Sequence, residues 1–595
     1  MTQTEATPPP PPAGPTSEEA MRFVTEAEQR LASINVDAAR AAWVAANFIT
    51  EDTQLISARE NERFINAGVE LAKEAARYDD LQLPADTRRK LALIKLKLTT
   101  PGPAEPALTQ ELARIAAEME ATYGSGRYCP PGKSGDDCLD VNEVSKVMRE
   151  SRDPNRLLEV WRGWHTISPP MREKYTRFVE LQNQGARELG YGDTGAMWRS
   201  KYDMPPDAFA TEIDRLWGQV KPLYDSLHCF VRWNLNRKYG NRVVPLDQPI
   251  PAHLLGNIWA QEWSNVYDLV APKTGGRGYD LTRILEARKD IDEVGMVKIA
   301  ERFFTSLGFD PLPATFWERS LFKQPRDRDV VCHASAWDVD DVDDLRIKMC
   351  IQKTEEDLTT IHHELGHNFY QRAYNRQPFL YKDSANDGFH EAIGDTIALS
   401  VTPGYLKQIG LIKEEPPASA DIPLLLADAM DKIAFLPFGV LMDKWRWRVF
   451  SGDLSPADYN KGWWELRTQY QGIAPAGARG EESFDPGAKY HIPANVPYAR
   501  YFLARILQFQ FHRSLCQTSG YSGPLNRCSI YGNKEAGTRL AKLLEMGSSR
   551  PWPEALEVAT GQRQMDATAI IDYFRPLKTW LDDQNQGRTC GWSSP

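Results

Sequence analysis

Apolar residues recur at helical spacing along most of the chain. Val24, Ala27, Leu31 and Ile34 repeat at three- and four-residue intervals, which lines one face of a helix. Thr16-Ser17-Glu18-Glu19 stands just ahead of them. A threonine followed three residues later by glutamate is a capping box and predicts the helix start. The same periodicity predicts helices over 64–78, 105–122, 206–238, 294–307, 355–374, 421–450, 496–518 and 534–546. Alternation with a period of two is confined to short pieces such as 329–337 and 345–352, which predicts a small β ribbon. The run Pro8–Pro12 with Gly14 predicts a disordered Pro-rich leader over 1–15. No repeat and no interior linker divides the rest. Residues 16–595 are therefore predicted to form a single, mainly α domain.

Composition narrows the class. The 595 residues are 42% hydrophobic and 26% charged, the balance of a soluble globular protein. No apolar run approaches the ~18 residues that cross a bilayer, so no membrane span is predicted. A net charge of −10 disfavours a nucleic-acid partner, which selects for a basic face. Six of the eight cysteines fall into three close pairs: Cys129 and Cys138, Cys332 and Cys350, Cys516 and Cys528. None has the CxxC spacing of a zinc ribbon or redox motif. They are expected to form local disulfides, which persist in oxidising compartments. Cys229 and Cys590 have no evident partner. The start Met-Thr-Gln-Thr lacks a basic segment followed by an apolar core, so the expectation is a mature secreted or periplasmic form beginning at an added Met. The absence of any Asn-x-Ser/Thr sequon favours a bacterial, unglycosylated source.

The strongest chemical signal is His363-Glu364-Leu365-Gly366-His367. Positions i and i+4 share a helix face, so both imidazoles can reach one ion, and Glu364 stands where a carboxylate can deprotonate water. Five residues alone are only moderately specific, since the same pattern also occurs on solvated helix surfaces. The segment Gly388-Phe389-His390-Glu391-Ala392-Ile393-Gly394-Asp395 narrows the choice. A catalytic zinc site takes three protein ligands and keeps one open position. Glu391, on a returning helix, is placed to be the third. Asp395, one turn on, can accept the free ring N–H of a ligand histidine. The apolar neighbours Phe389, Ile393, Ile397 and Leu399 argue against a merely exposed acidic face. His362 and His390 are expected to pack or hydrogen-bond rather than ligate.

With these blocks the chain resembles the angiotensin-converting enzyme family of peptidyl-dipeptidases. The resemblance runs from about residue 16 to the C-terminus. It is carried by Trp198-Arg199-Ser200-Lys201-Tyr202, Ile250-Pro251-Ala252-His253-Leu254-Leu255-Gly256, Cys332-His333-Ala334-Ser335-Ala336-Trp337, Asp431-Lys432-Ile433-Ala434-Phe435, Lys489-Tyr490-His491-Ile492-Pro493 and the block 388–400. It implies a helical ellipsoid in which a deep central cleft divides two intertwined subdomains, with one zinc at its floor. His491 and Tyr501 resemble the pair that steadies the tetrahedral intermediate. His333 and the Ala334 backbone resemble the groups that hold the substrate as an added strand. Gln261, Lys489 and Tyr498 resemble the grip on the substrate's free C-terminal carboxylate. Tyr202 and Arg500 match one of the family's chloride sites. For the other, Trp463 and Arg467 are present, but His165 stands where an arginine is expected, and histidine is the weaker anion ligand at neutral pH. Arg505 departs from an apolar aromatic near the pocket for the leaving residues.

The resemblance implies hydrolysis of the penultimate peptide bond of oligopeptides with a free C-terminus, by a monomer. Gln261 in Trp259-Ala260-Gln261-Glu262-Trp263 matters here. The family's one-residue carboxypeptidases carry an arginine at that position. The competing readings are a one-residue carboxypeptidase, an oligoendopeptidase on the same fold, and a catalytically silent peptide-binding relative.

Overall fold

Three helices open the chain and fold over one another: Ser17–Asn47, Glu51–Ala76 and Ala85–Leu96. The first starts where the capping box predicts, with Thr16 Oγ1 accepting from Glu19 N and Glu19 Oε2 accepting from Thr16 N. The computed structural model describes residues 14–272 and 278–592. Of the leader expected over 1–15, only Gly14 and Pro15 are described; the rest lies outside the described residues. The opening helices build a small core of their own around Val24, Leu31, Leu71 and Leu91, closed by Leu189, Met197 and Leu380.

A single large core holds most of the remainder. The predicted helices appear as Pro106–Gly124, Pro206–Tyr239, Glu293–Leu307, Glu355–Tyr374, Asp421–Ser451, Ala499–Thr518 and Lys534–Leu544. Only the second differs much: predicted over 64–78, it begins at Glu51, where Thr50 and Thr53 cap it. Asp421–Ser451 is buried on nearly every face, from Leu425 through Phe450, which marks it as a central helix. Among the described residues no helix is long and apolar enough to cross a membrane.

The β ribbon is shorter than predicted. Ser335–Asp338 pairs antiparallel with Leu345–Lys348, Ser335 facing Lys348 and Asp338 facing Leu345. A second pairing, which the sequence pattern does not signal, sets Ile250–Pro251 parallel to Ile473–Ala474. The ribbon links the opening helices to the interior. Trp337 meets Trp43 edge-on at 5.4 Å, and Asn35 Nδ2 donates to Asp341 Oδ2 at 2.9 Å. On its other side Asn368 Nδ2 donates to Arg346 O at 3.2 Å, which seats the ribbon on helix Glu355–Tyr374.

All eight cysteines are paired. The three expected disulfides form: Cys129–Cys138, Cys332–Cys350 and Cys516–Cys528. Cys229 and Cys590, without an evident partner in the sequence, bond to each other across 361 residues. Sequence proximity gives no cue to a bridge of that span; only the fold brings its ends together.

Candidate metal centre

Helix Glu355–Tyr374 begins at Thr354, whose Oγ1 accepts from Asp357 N at 3.0 Å, with Glu355, Glu356 and Asp357 in its first turn. A hydroxyl cap and acidic residues at the positive end of the dipole favour this start. Helix Asp387–Leu399 begins at Asn386, which accepts from Gly388 N at 2.9 Å. The two helices run antiparallel, since His363 meets Asp395 while His367 meets His390. Two glycines permit the closeness. A Cβ on Gly366 would fall 2.8 Å from Gly394 Cα, and one on Gly394 would fall 2.8 Å from both Nδ1 and O of His363.

This crossing brings His363, His367 and Glu391 together, with ligand atoms all within 4.8 Å of one another. The two Nε2 atoms are 3.0 Å apart, and Glu391 Oε2 lies 3.5 and 3.9 Å from them. Donors at ~2.0–2.1 Å from one tetrahedral ion lie about 3.4 Å from each other, so the set fits a divalent ion. His363 Nδ1 donates to Asp395 Oδ1 at 3.0 Å, so Nε2 is the atom that can turn a lone pair to an ion once its own proton has left. His367 gains the same tautomer from His390: the two Nδ1 atoms are 3.0 Å apart, and His390 Nε2 reaches Tyr374 Oη at 3.1 Å. His362 is packed away, bonded to Leu358 O and Tyr405 Oη.

The electrostatics are those of an anionic cage. Burial opposes charge on His363, but the hydrogen bonds to Asp395 and Glu391 prevail and its pKa is pushed up to about 10. Burial and the His363 charge lower His367 to about 4. The bond from His363 holds Glu391 below the usual carboxylate range. Burial opposes the charge of Asp395, but Arg505 and His363 keep it well below that range. A ligating imidazole must be neutral, so an ion entering here displaces the proton of His363. Glu364, beside the donors, is raised by burial despite the His363 charge, and it accepts from the Ala336 backbone.

A cavity of about 700 Å³ opens over these groups, walled by His333, Ala334, His363, Glu364, Asp395 and Arg505 among others. His333 Nδ1 donates to Ala334 O at 2.9 Å, and the buried Lys348 ammonium reaches His333 O at 2.7 Å. Lys348 thus fixes the segment beside the ribbon.

The remaining predicted residues form a second group that adjoins the first through Glu391, whose charge Tyr501 feels. Tyr501 and Tyr498 are 5.0 Å apart, and His491 lies 4.7 Å from Tyr498 and 5.7 Å from Tyr501. Lys489 Nζ sits 4.1 Å above the Trp259 ring, 5.9 Å from the Tyr498 ring, and donates to Gln261 Oε1 at 2.6 Å. Burial pushes Lys489 down to about 7, and burial with Lys489 and Arg446 lowers His491 to about 3. This second group is held by a buried pair that sequence reasoning missed. Asp443 Oδ2 accepts from the backbone N–H of Tyr498 and Ala499, capping helix Ala499–Thr518, while its partner Arg446 donates to His491 O at 3.0 Å. Charged residues inside the long apolar pattern of 421–450 are the one trace they leave in the sequence.

Tyr202 and Arg500 come together with a third partner, Asp387, whose carboxylate lies 3.0 Å from Arg500 Nη2. Tyr202 is buried and stacked on Phe209 at 4.0 Å. At the other sequence match, His165 is buried and donates to Trp161 O, while the buried Arg467 donates to Trp259 O at 2.8 Å.

An HExxH helix, a glutamate from the next helix and a mainly α frame define a metallopeptidase-type centre. The chain belongs to the angiotensin-converting enzyme family, whose sequence model matches residues 15–592. Angiotensin-converting enzyme of Rattus norvegicus is 44% identical over 564 residues, covering 93% of this chain and 42% of that protein. The same enzyme of Sus scrofa is 44% identical over 566 residues, with 93% and 42% covered. That of Theromyzon tessulatum is 41% identical over 490 residues, with 81% and 79% covered. The chain spans less than half the length of these two mammalian relatives.

Proposed function

We propose that this protein is a zinc-dependent peptidyl-dipeptidase that releases C-terminal dipeptides from oligopeptides, and that residues 16–595 act as one peptidase domain of two intertwined subdomains. One observation supports this above all: polar side chains follow one another from the metal donor Glu391 through Tyr501 and Tyr498 to Lys489 and Gln261. A metal group alone would suit an endopeptidase. A buried ammonium flanked by an amide and a phenol suits a carboxylate, and a carboxylate held there would set the length of the product from the C-terminus. The names of the relatives agree with this reading.

His363, His367 and Glu391 would hold the zinc, with Asp395 and His390 fixing the two tautomers. When bound, the ion supplies Lewis-acid polarisation of the scissile carbonyl and makes water more acidic. Glu364 takes the proton of the attacking water and returns it to the leaving amine. Its burial suits the task, because a raised pKa lets the carboxyl carry that proton between the two steps. Tyr501, with its hydroxyl proton retained by a raised pKa, and the neutral His491 donate to the oxygen that becomes negative. His333 and the Ala334 backbone align the peptide as an added strand. Gln261, Lys489 and Tyr498 hold its carboxylate. Tyr202 and Arg500 take a chloride ion, for which the unpartnered Nε of Arg500 is a donor. The disulfides favour an oxidising compartment, which supports a secreted or periplasmic location, and the protein acts as a monomer.

Mass spectrometry of the products from N-blocked peptides of three to ten residues tests the reading. The expected product is the C-terminal dipeptide, lost when zinc is chelated and regained when it is restored. Single amino acids or internal fragments as the first products would replace it with a one-residue carboxypeptidase or an endopeptidase.

A further inference from the structure

A second cavity, of about 930 Å³, opens to solvent where helix Pro206–Tyr239 ends, between the segment Asp268–Pro272 and the last helix, Arg575–Gln584. It shares no lining residue with the metal group or the proposed carboxylate grip. Part of its lining is aromatic: Phe230 is buried and meets Trp580 edge-on at 5.0 Å.

The charged part of the lining is cationic. Arg237 and Lys238 stand in the last turn of their helix, where the dipole favours positive charge. That reason does not extend to Arg588, which comes from the tail beyond the last helix. Its guanidinium lies 5.7 Å from the Phe230 ring and 5.4 Å from the Trp233 ring. Burial and the neighbouring Arg237 charge both lower its pKa. The side-chain partner of Arg588 is the neutral Asn585, at 3.2 Å, and among the described residues none of the three cations has an ion pair. Asp268 is the one carboxylate among the described residues that line the cavity, and Arg152 already holds both its oxygens, at 2.7 and 3.2 Å.

On a chain of net charge −10, three cations gathered without a countercharge repel one another, and an anion between them relieves that repulsion. Guanidinium forks match the paired oxygens of a phosphate or sulfate. The ring faces suit an apolar body beside it, and the volume is that of a small-molecule pocket rather than of a bare ion.

We propose that this cavity binds a small organic anion, a phosphate or sulfate monoester carried on an apolar or aromatic body. Phe230 follows Cys229 directly and Arg588 stands two residues before Cys590, so the occupant ties the tail to the helix beside their bridge. The site does not depend on the peptidase reading.

Calorimetry of the zinc-loaded protein with phenyl phosphate, inorganic phosphate and benzyl alcohol separates charge from body. Phenyl phosphate is expected to bind at one site, at least ~10-fold more tightly than either of the other two. Arg237→Gln and Arg588→Gln should each weaken it ~10-fold, as for one charge-assisted hydrogen bond. Trp580→Leu should remove the advantage over inorganic phosphate; should that variant fail to fold, Arg237→Gln decides, because the exposed Arg237 side chain supports no other contact. Lys489→Met should leave the affinity unchanged. No binding of phenyl phosphate, equal affinity for either of the other probes, or an affinity that survives both arginine substitutions overturns the site. Loss of binding in Lys489→Met overturns it as well, since the anion then sits in the carboxylate grip.

Discussion

In the proposed carboxylate grip, Lys489 would set both specificity and its pH range. It is buried, 5% exposed, and its compensation is limited to the Trp259 face, the more distant Phe438 and Tyr498 rings and the oxygen of Gln261. Burial therefore brings its pKa down to about 7, so the ammonium that a substrate carboxylate needs is present below that pH and lost above it. For peptides with a free C-terminus, kcat/KM is expected to fall as pH rises through about 7, by up to tenfold per unit. C-terminally amidated peptides should lack this limb, and Lys489→Met should lower the plateau and remove it. A profile from pH 5.5 to 9 on both peptide types checks the sign. Glu364, the proposed base, would work on the chemistry instead of the grip. Glu364→Gln removes the base but none of the three donors, so zinc content measured by elemental analysis should hold while kcat drops by at least ~10²–10⁴-fold.

At the scale of elements, the site is made by two helices crossing closer than side chains allow. Gly394 is the critical point, because a Cβ there would meet the ring and carbonyl of His363 rather than a side chain able to swing away. Gly394→Ala should force the helices apart, with ~1–3 kcal/mol lost in denaturant unfolding and zinc held ~10–100-fold more weakly in chelator competition, as when outer partners of a ligand are disturbed. The motif was legible because its chemistry is local: His363, Glu364 and His367 fall on one face by periodicity, and Glu391 and Asp395 repeat one turn apart. The helices were legible for the same reason. The extent of the ribbon was not. Its pairing depends on Trp43 and Asn368, which reach it from the opening helices and from the metal helix, and tertiary contacts of that kind leave no period in the sequence. Asp443 and Arg446 were hidden likewise, since a buried ion pair is recognisable only once burial is known.

The whole molecule explains the remaining miss, the bridge between Cys229 and Cys590. Cys229 lies inside helix Pro206–Tyr239, and the returning end of the chain is bound there by more than sulfur. Arg232 Nη2 donates to Thr589 O at 3.0 Å, and the Trp592 ring lies 4.5 Å from that of His228. His228 in turn contacts Gly472 O at 3.0 Å, beside Gln471, whose amide donates to Ala260 O at 3.1 Å. Ala260 has a φ of 47°, a left-handed conformation that a non-glycine residue keeps only when its surroundings impose it, and it directly precedes Gln261 of the grip. The terminal lock therefore supports the strained turn that aims Gln261 at Lys489. Replacing both cysteines by serine releases a loop of 361 residues, for which chain entropy gives a loss of ~6 kcal/mol, with less delivered if the unfolded chain retains structure. The same double variant should raise KM for peptides with a free carboxylate while kcat changes little, because the turn it loosens bears on binding and not on the metal group. Denaturant unfolding and steady-state kinetics on one preparation separate the two effects. A stability loss with unchanged KM would mean that the turn holds itself, and that the bridge serves the fold alone.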